Sequence, residues 1–226
     1  MKHLTRIMTI ASLMMLISIV GCKKNSNETK PEPKPITAEE LLGYQIVTLF
    51  SSPAKNVPPK LFYFAKSGNE IMATMDGVQS RRIRAIQVTD NRFTFDSDGD
   101  GKFVYEFNLK RDEKGLVIMG SSKYQNLNDP SITMPNAVIW PSDFPAFKNK
   151  SFTSADGAGY GLNFTADAWT FSPVAGKTGT FYEIAKGAWK GRLDGKDYMG
   201  FSAPAEHNQV TMVLTREGSE QFMYFQ

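Results

Sequence analysis

The chain of 226 residues holds a single cysteine, Cys22, so no disulfide can form within it. It holds two histidines, and only His207 lies beyond the first stretch. One distant histidine excludes a two-histidine zinc site and an H-E-x-x-H helix. A Ser-His-Asp triad would have to use His207, and no G-x-S-x-G elbow accompanies it. Phosphate-cradling glycine fingerprints are missing as well. The one Gly-rich run, Gly157 to Gly161, follows a loop rather than a strand. Charge of one sign is not in excess: 26 Lys and Arg face 23 Asp and Glu, a formal net charge of +3. That balance gives no electrostatic case for a nucleic-acid partner. Uncharged apolar runs are short. Ile7 to Val20 falls below the about 20 residues that a spanning helix needs. Helical periodicity is scarce too. "TAEELL" offers one turn, with Thr37 and Glu40 spaced as a capping box, and no convincing 3.6 period follows.

What is present begins with an address. Lys2 and Arg6 precede the apolar run, which fits the h-region of a signal. The run ends in Ile19-Val20-Gly21-Cys22, which resembles the lipobox of bacterial lipoproteins, with Ile19 where Leu is usual. The resemblance covers residues 1–21 and Cys22 only. It implies cleavage before Cys22 and acylation of its sulfur and new amino group, with the membrane as partner. Lys23, where Asp would signal inner-membrane retention, points to the outer membrane. Two acyl chains suffice for stable anchoring. Loss of Lys2 and Arg6 with the signal lowers the net charge by two. Residues 22–36, with "KKNSNETKPEPKP", have too little apolar surface for a core and read as a semi-extended tether.

Residues 37–226 are rich in short alternating runs punctuated by Gly, Asn, Asp and Pro. "YQIVTLF", "KLFYFA", "EIMATM", "IRAIQV", "RFTF" and "KFVYEFNL" are among the first. "AWTFS", "GTFYEIA", "AWKGRL", "DYMGFS" and "QVTMVLT" come later. Such spacing predicts an all-β fold, either an antiparallel meander barrel or a β-sandwich. The aromatics all lie beyond residue 21 and suit half-buried strands. The two-proline stretch Trp140 to Lys150 divides the fold into β regions 37–140 and 150–226. "FYFAKSGNEIMATMDG" from Phe62 and "FYEIAKGAWKGRLDG" from Phe181 echo each other. They read either as a repeated meander or as two similar hairpins. "ELLGYQIV" resembles the opening of lipocalin-like domains over one strand, although Gly43-Tyr44-Gln45 lacks the expected Trp.

Asp96, Asp98, Asp100 and Gly101 match the start of an EF-hand calcium loop, but position 12 is Phe107 rather than Glu. The flanks alternate with period 2. A hairpin with a loop at Ser97 to Gly101 would pair Asp96 with Lys102, set Phe93, Phe95, Phe103 and Tyr105 on one face, and place Glu106 opposite Arg92. The reading is a plain loop, or a weak calcium site built from the three aspartates. No other cofactor is implied.

Three short boxes resemble those of penicillin-binding proteins and serine β-lactamases. They are Ser52 to Lys55, Tyr124 to Asn126, and Lys177-Thr178-Gly179. The resemblance implies Ser52 as acylated nucleophile, Lys55 as its proton partner, Tyr124 and Asn126 assisting, and Lys177 and Thr178 binding substrate. Pro58 and Pro59 prevent the helix that the first box requires. "RRIR" puts Arg82 and Arg84 on one face of a strand. They read either as an anchor for a carboxylate or phosphate inside a barrel, or as a solvated edge. The expected protein is a lipid-anchored, non-enzymatic envelope protein that holds a small amphipathic ligand in a lipocalin-like barrel, with Arg82 and Arg84 as anchor. The alternatives are a β-sandwich accessory that binds glycan or a protein partner through exposed Trp169 and Trp189, and the serine acyl-transferase.

Overall fold

Alternation is what turns these runs into strands. In "KLFYFAKS" Phe62 and Phe64 point to one side and Tyr63 to the other, and a half-buried sheet needs that period of 2. The computed structural model describes residues 34–226 except positions 55–56, 145, 205–209 and 220–221. The described residues contain sixteen strands, one 3-10 turn at Glu39–Gly43 and no α-helix. The fold is all-β, and the strands pair antiparallel throughout the described residues.

The first eight strands are β1 (Tyr44–Ser51), β2 (Lys60–Ser67), β3 (Glu70–Asp76), β4 (Arg81–Ile86), β5 (Arg92–Asp96), β6 (Phe103–Arg111), β7 (Val117–Asn126) and β8 (Thr133–Pro141). They run as a meander whose last strand returns to pair with the first. Hydrogen bonding divides them into two sheets, β4-β3-β2-β1-β8 and β5-β6-β7. Both sheets bury side chains in one core. Phe62 lies at its centre, with its ring edge-on to Phe95, Tyr105 and Phe107 at centroid distances of 5.1 to 5.2 Å. The 3-10 turn covers one end. Half of the expected capping box forms there: Glu40 reaches back to the amide of Thr37, but no side chain caps from the other direction. Glu40 also receives both hydrogen bonds that Arg111 Nη2 donates to its carboxylate.

The second eight strands are β9 (Ser151–Thr153), β10 (Gly161–Phe164), β11 (Ala168–Phe171), β12 (Gly179–Ala185), β13 (Ala188–Leu193), β14 (Lys196–Pro204), β15 (Val210–Arg216) and β16 (Met223–Phe225). They form one sheet in sequence order. Its ends meet. Thr153 and Gln226 exchange backbone hydrogen bonds of 2.9 and 2.8 Å, and the Ala155 amide donates to the Tyr224 carbonyl at 2.7 Å. This nearly closes an antiparallel barrel and removes most of the free sheet edge. Trp169 and Trp189 fill its interior with centroids 4.8 Å apart. Space for them comes from inward-facing glycines. A Cβ on Gly200 would collide with the Trp189 ring nitrogen, and one on Gly191 would lie 2.8 Å from that of Trp169.

Two expectations change, and one open alternative is decided. The two indoles are fully buried, so they cannot form an open glycan platform. The echo falls on the β2–β3 and β12–β13 hairpins, which are the second and third strands of one meander and the fourth and fifth of the other. It therefore relates two hairpins, not two meanders in step. The β5–β6 register differs by two residues: Asp96 faces Val104, Phe95 faces Tyr105 and Phe93 faces Phe107. A shift of two keeps every side chain on its face. Arg92 pairs across from Asn108, and its guanidinium lies 4.0 Å from Glu106 on the diagonal.

No strand is shared between the two sets among the described residues, and the break falls in the Pro-containing connection after Pro141. Yet Pro35–Gln226 form one compact unit. A third apolar cluster lies on the seam, where Val47, Leu61 and Val78 of the first set meet Ala188, Met199 and Phe201 of the second. Strand β1 is accordingly buried on both faces from Gln45 to Thr48.

Candidate binding site at the seam

The site is built on the β3–β4 turn. Asp76 and Arg81 are the last paired residues, and the Gly77 amide donates to the Ser80 carbonyl at 3.0 Å. Asp76 is fully buried, and a buried carboxylate requires partners. It has three, from three strands. Tyr63 on β2 donates its hydroxyl to Oδ2 at 2.6 Å. Lys190 on β13 donates Nζ to Oδ1 at 2.5 Å. Arg81 on β4 holds Nε 3.9 Å from Oδ2. Burial, and then the hydrogen bond to Asp76, raise the Tyr63 hydroxyl well above its ordinary pKa. Lys190 also donates to the Ser80 carbonyl at 3.2 Å, which ties the turn of the first meander to the outer face of the second.

Lys60, the first residue of β2, donates Nζ to Ser80 Oγ at 3.2 Å. It approaches Gly77 so closely that a Cβ there would lie 2.5 Å from Nζ. Glycine at 77 is therefore what lets the ammonium reach the turn. Burial lowers the Lys60 pKa, and the positive charges of Lys190 and Arg82 lower it further. Lys60 forms no ion pair with a carboxylate among the described residues.

Two hollows open from this turn, and Ser80 lines both. The smaller is about 200 Å³ and lies at the mouth of the first meander. Lys60 and Arg82 bring two positive charges to one side of it and Asp98, paired with Arg82, brings one carboxylate; Met75, Phe103, Tyr105 and Tyr124 give it an apolar side. Burial raises the pKa of both tyrosines, so they face the hollow as neutral phenols. The larger is about 340 Å³ and runs along the seam between the β3–β4 turn and strands β12 to β14.

Arg82 and Arg84 share a side of β4, as the alternation of "RRIR" requires, and span the break between β4 and β5. Arg82 Nε donates to Asp98 Oδ1 at 2.7 Å and lines the smaller hollow. Arg84 Nε donates to the Asp96 carbonyl at 3.2 Å and lies outside that lining. The three aspartates are spent on different partners. Asp96 accepts the amides of Gly99 and Gly101 at 2.9 and 2.8 Å, Asp98 holds Arg82, and Asp100 pairs with Lys102 at 2.6 Å. Among the described residues no three His, Cys, Asp or Glu side chains stand together as a metal-holding group.

The acyl-transfer boxes are scattered. Ser52 follows β1 in irregular chain with no helix beginning there, and Lys55 lies outside the described residues. Tyr124 and Asn126 are in β7, and Asn126 accepts the amides of Asn128 and Asp129 to close the following turn. Lys177 pairs with Asp194 at 3.6 Å, in the other set of strands. Cys22, the signal and His207 lie outside the described residues.

Asp76, Lys60, Ser80 and Lys190 are the residues that sequence reasoning missed. The available signal was Asp76 on the polar face of "EIMATMD", opposite Ile71, Ala73 and Met75. Only the packing of the second meander turns that face into a buried one. The chain matches no known family, no curated protein and no solved structure at a significant level.

Proposed function

We propose that this protein is a lipid-anchored binding protein of the cell envelope, not an enzyme, and that it holds a small amphipathic anion at the mouth of the first meander. The observation that carries the reading is the two-sided hollow. Lys60 and the Arg82–Asp98 pair stand on one side, with one positive charge in excess, and Phe103, Tyr105 and Tyr124 on the other. Lys60 is half-buried, and its ammonium has no carboxylate partner among the described residues; an anionic head group supplies one. The aromatic side takes a short apolar body. At about 200 Å³ the hollow falls below the roughly 300–1,000 Å³ of drug-sized sites, so the ligand is small unless the meander opens. Arg82 is one of the two anchors that "RRIR" suggested. Arg84 serves as a strap to β5 in this reading.

Titration with an anilinonaphthalene sulfonate probe tests it. Lys60→Gln and Arg82→Gln should each weaken probe binding by about tenfold, the loss of one charged hydrogen bond. Unchanged binding in both variants would remove these residues from the account. The anchor has a separate test. Full-length protein should incorporate labelled palmitate and fractionate with the outer membrane, and Cys22→Ala should abolish both.

A further inference from the structure

We infer that the larger hollow on the seam is a second binding site, for a monosaccharide that carries one anionic group. It depends neither on the lipid anchor nor on the Lys60 hollow.

The wall on the second meander follows from register. Thr180 pairs with Arg192, Tyr182 with Lys190, and Arg192 with Asp197. Partners in a sheet share a face, so Thr180, Tyr182, Lys190, Arg192 and Asp197 all point outward, while Phe181, Trp189 and Tyr198 fill the barrel. The β3–β4 turn, with Gln79, Ser80 and Arg81, supplies the opposite wall.

Charge then sets the ligand. Lys190 is neutralised by Asp76. Arg81 and Arg192 remain, against the single carboxylate of Asp197. Neither guanidinium is tightly committed, because each stands 3.9 Å from its nearest carboxylate oxygen. The lining thus has one positive charge in excess and asks for one negative group. The other groups are neutral hydrogen-bonding side chains, Gln79, Ser80 and Thr180, which suit several hydroxyls rather than an alkyl chain. Tyr182 is 58% exposed and offers a flat ring that the C–H face of a pyranose can cover. The volume, about 340 Å³, is at the low end of the about 300–1,000 Å³ range for small-ligand sites and holds one sugar ring.

Calorimetric titration of the mature protein with glucuronate, glucose phosphate, glucose and acetate tests the inference. At least one of the two acidic sugars should bind, with glucose and acetate at least about tenfold weaker. Binding of glucuronate alone assigns a carboxylate, and of glucose phosphate alone a phosphate. Arg192→Gln should weaken it by a similar factor. Arg192 is largely exposed, so this variant keeps the fold, and an unchanged melting temperature checks that. Arg82→Gln, on the other hollow, should leave acidic-sugar binding intact. No binding of either acidic sugar at millimolar concentration overturns the inference. So does acetate binding as tightly as the sugars, or affinity that survives Arg192→Gln.

Discussion

Asp76 has no solvent contact and three partners drawn from β2, β4 and β13. Removing its charge leaves Lys190, whose side chain is 11% exposed, without its counterion. Breaking a buried pair on one side costs about 3–5 kcal/mol, whereas replacing both partners by apolar groups is often close to neutral. Asp76→Asn should therefore lower unfolding free energy by that amount in denaturant titration, and Asp76→Asn with Lys190→Met should lose less. A double variant weaker than the single one would refute the pair's role as the tie across the seam. Lys60 makes a second prediction. Burial and neighbouring positive charge disfavour its ammonium, so the folded protein sheds this proton below the ordinary lysine value of 10.5. Between the lowered pKa and 10.5 the unfolded chain binds more protons, and stability from this group rises with pH. Anion affinity does the opposite, because the ammonium is what the anion meets. Probe binding should fall as pH rises through this lowered value, below 10.5. In Lys60→Gln that fall should vanish. Burial raises the Tyr105 and Tyr124 hydroxyls as well, so neither loses its proton as early as a free phenol.

At the scale of elements, the β5–β6 hairpin shows what sequence could reveal. Its aromatic faces were legible, since parity survives a register shift of two. The loop length was not, because it depends on Asp96 capturing the amides of Gly99 and Gly101. Spacing alone made those aspartates resemble a calcium loop. With Asp96 binding backbone and Asp98 binding Arg82, millimolar calcium should leave the melting temperature unchanged. Asp96→Ala should cost about 1–3 kcal/mol, the range for stranded amides. Strand β7 was only half legible. Its second part, "SSKYQN", has little apolar alternation and is held by pairing with β6. In the second barrel, Gly200 on β14 faces Trp189. Overpacking costs about 1–3 kcal/mol, so Gly200→Ala should lower the melting temperature and shift tryptophan emission. An unperturbed emission spectrum would show that the indole does not rely on that space.

On the scale of the whole molecule, the all-β class was legible from run spacing. The seam was not. Leu61, Val78, Met199 and Phe201 look like surplus apolar residues until the two meanders are packed together. Because that cluster and the Asp76–Lys190 pair cross the seam, heating should give one calorimetric transition with calorimetric and van't Hoff enthalpies equal. Two resolved transitions would mean that the halves melt independently.

Both meanders finish by joining the strands farthest apart in sequence, β1 with β8 and Thr153 with Gln226. Hairpins such as β2–β3 close over two residues and need little chain entropy. The closing contacts bring ends together over a whole meander and so arrive late on the folding route. Weakening them should then leave the refolding rate nearly untouched and speed unfolding. How long the native state lasts is set at these two joints, while how quickly it forms is set in the hairpins.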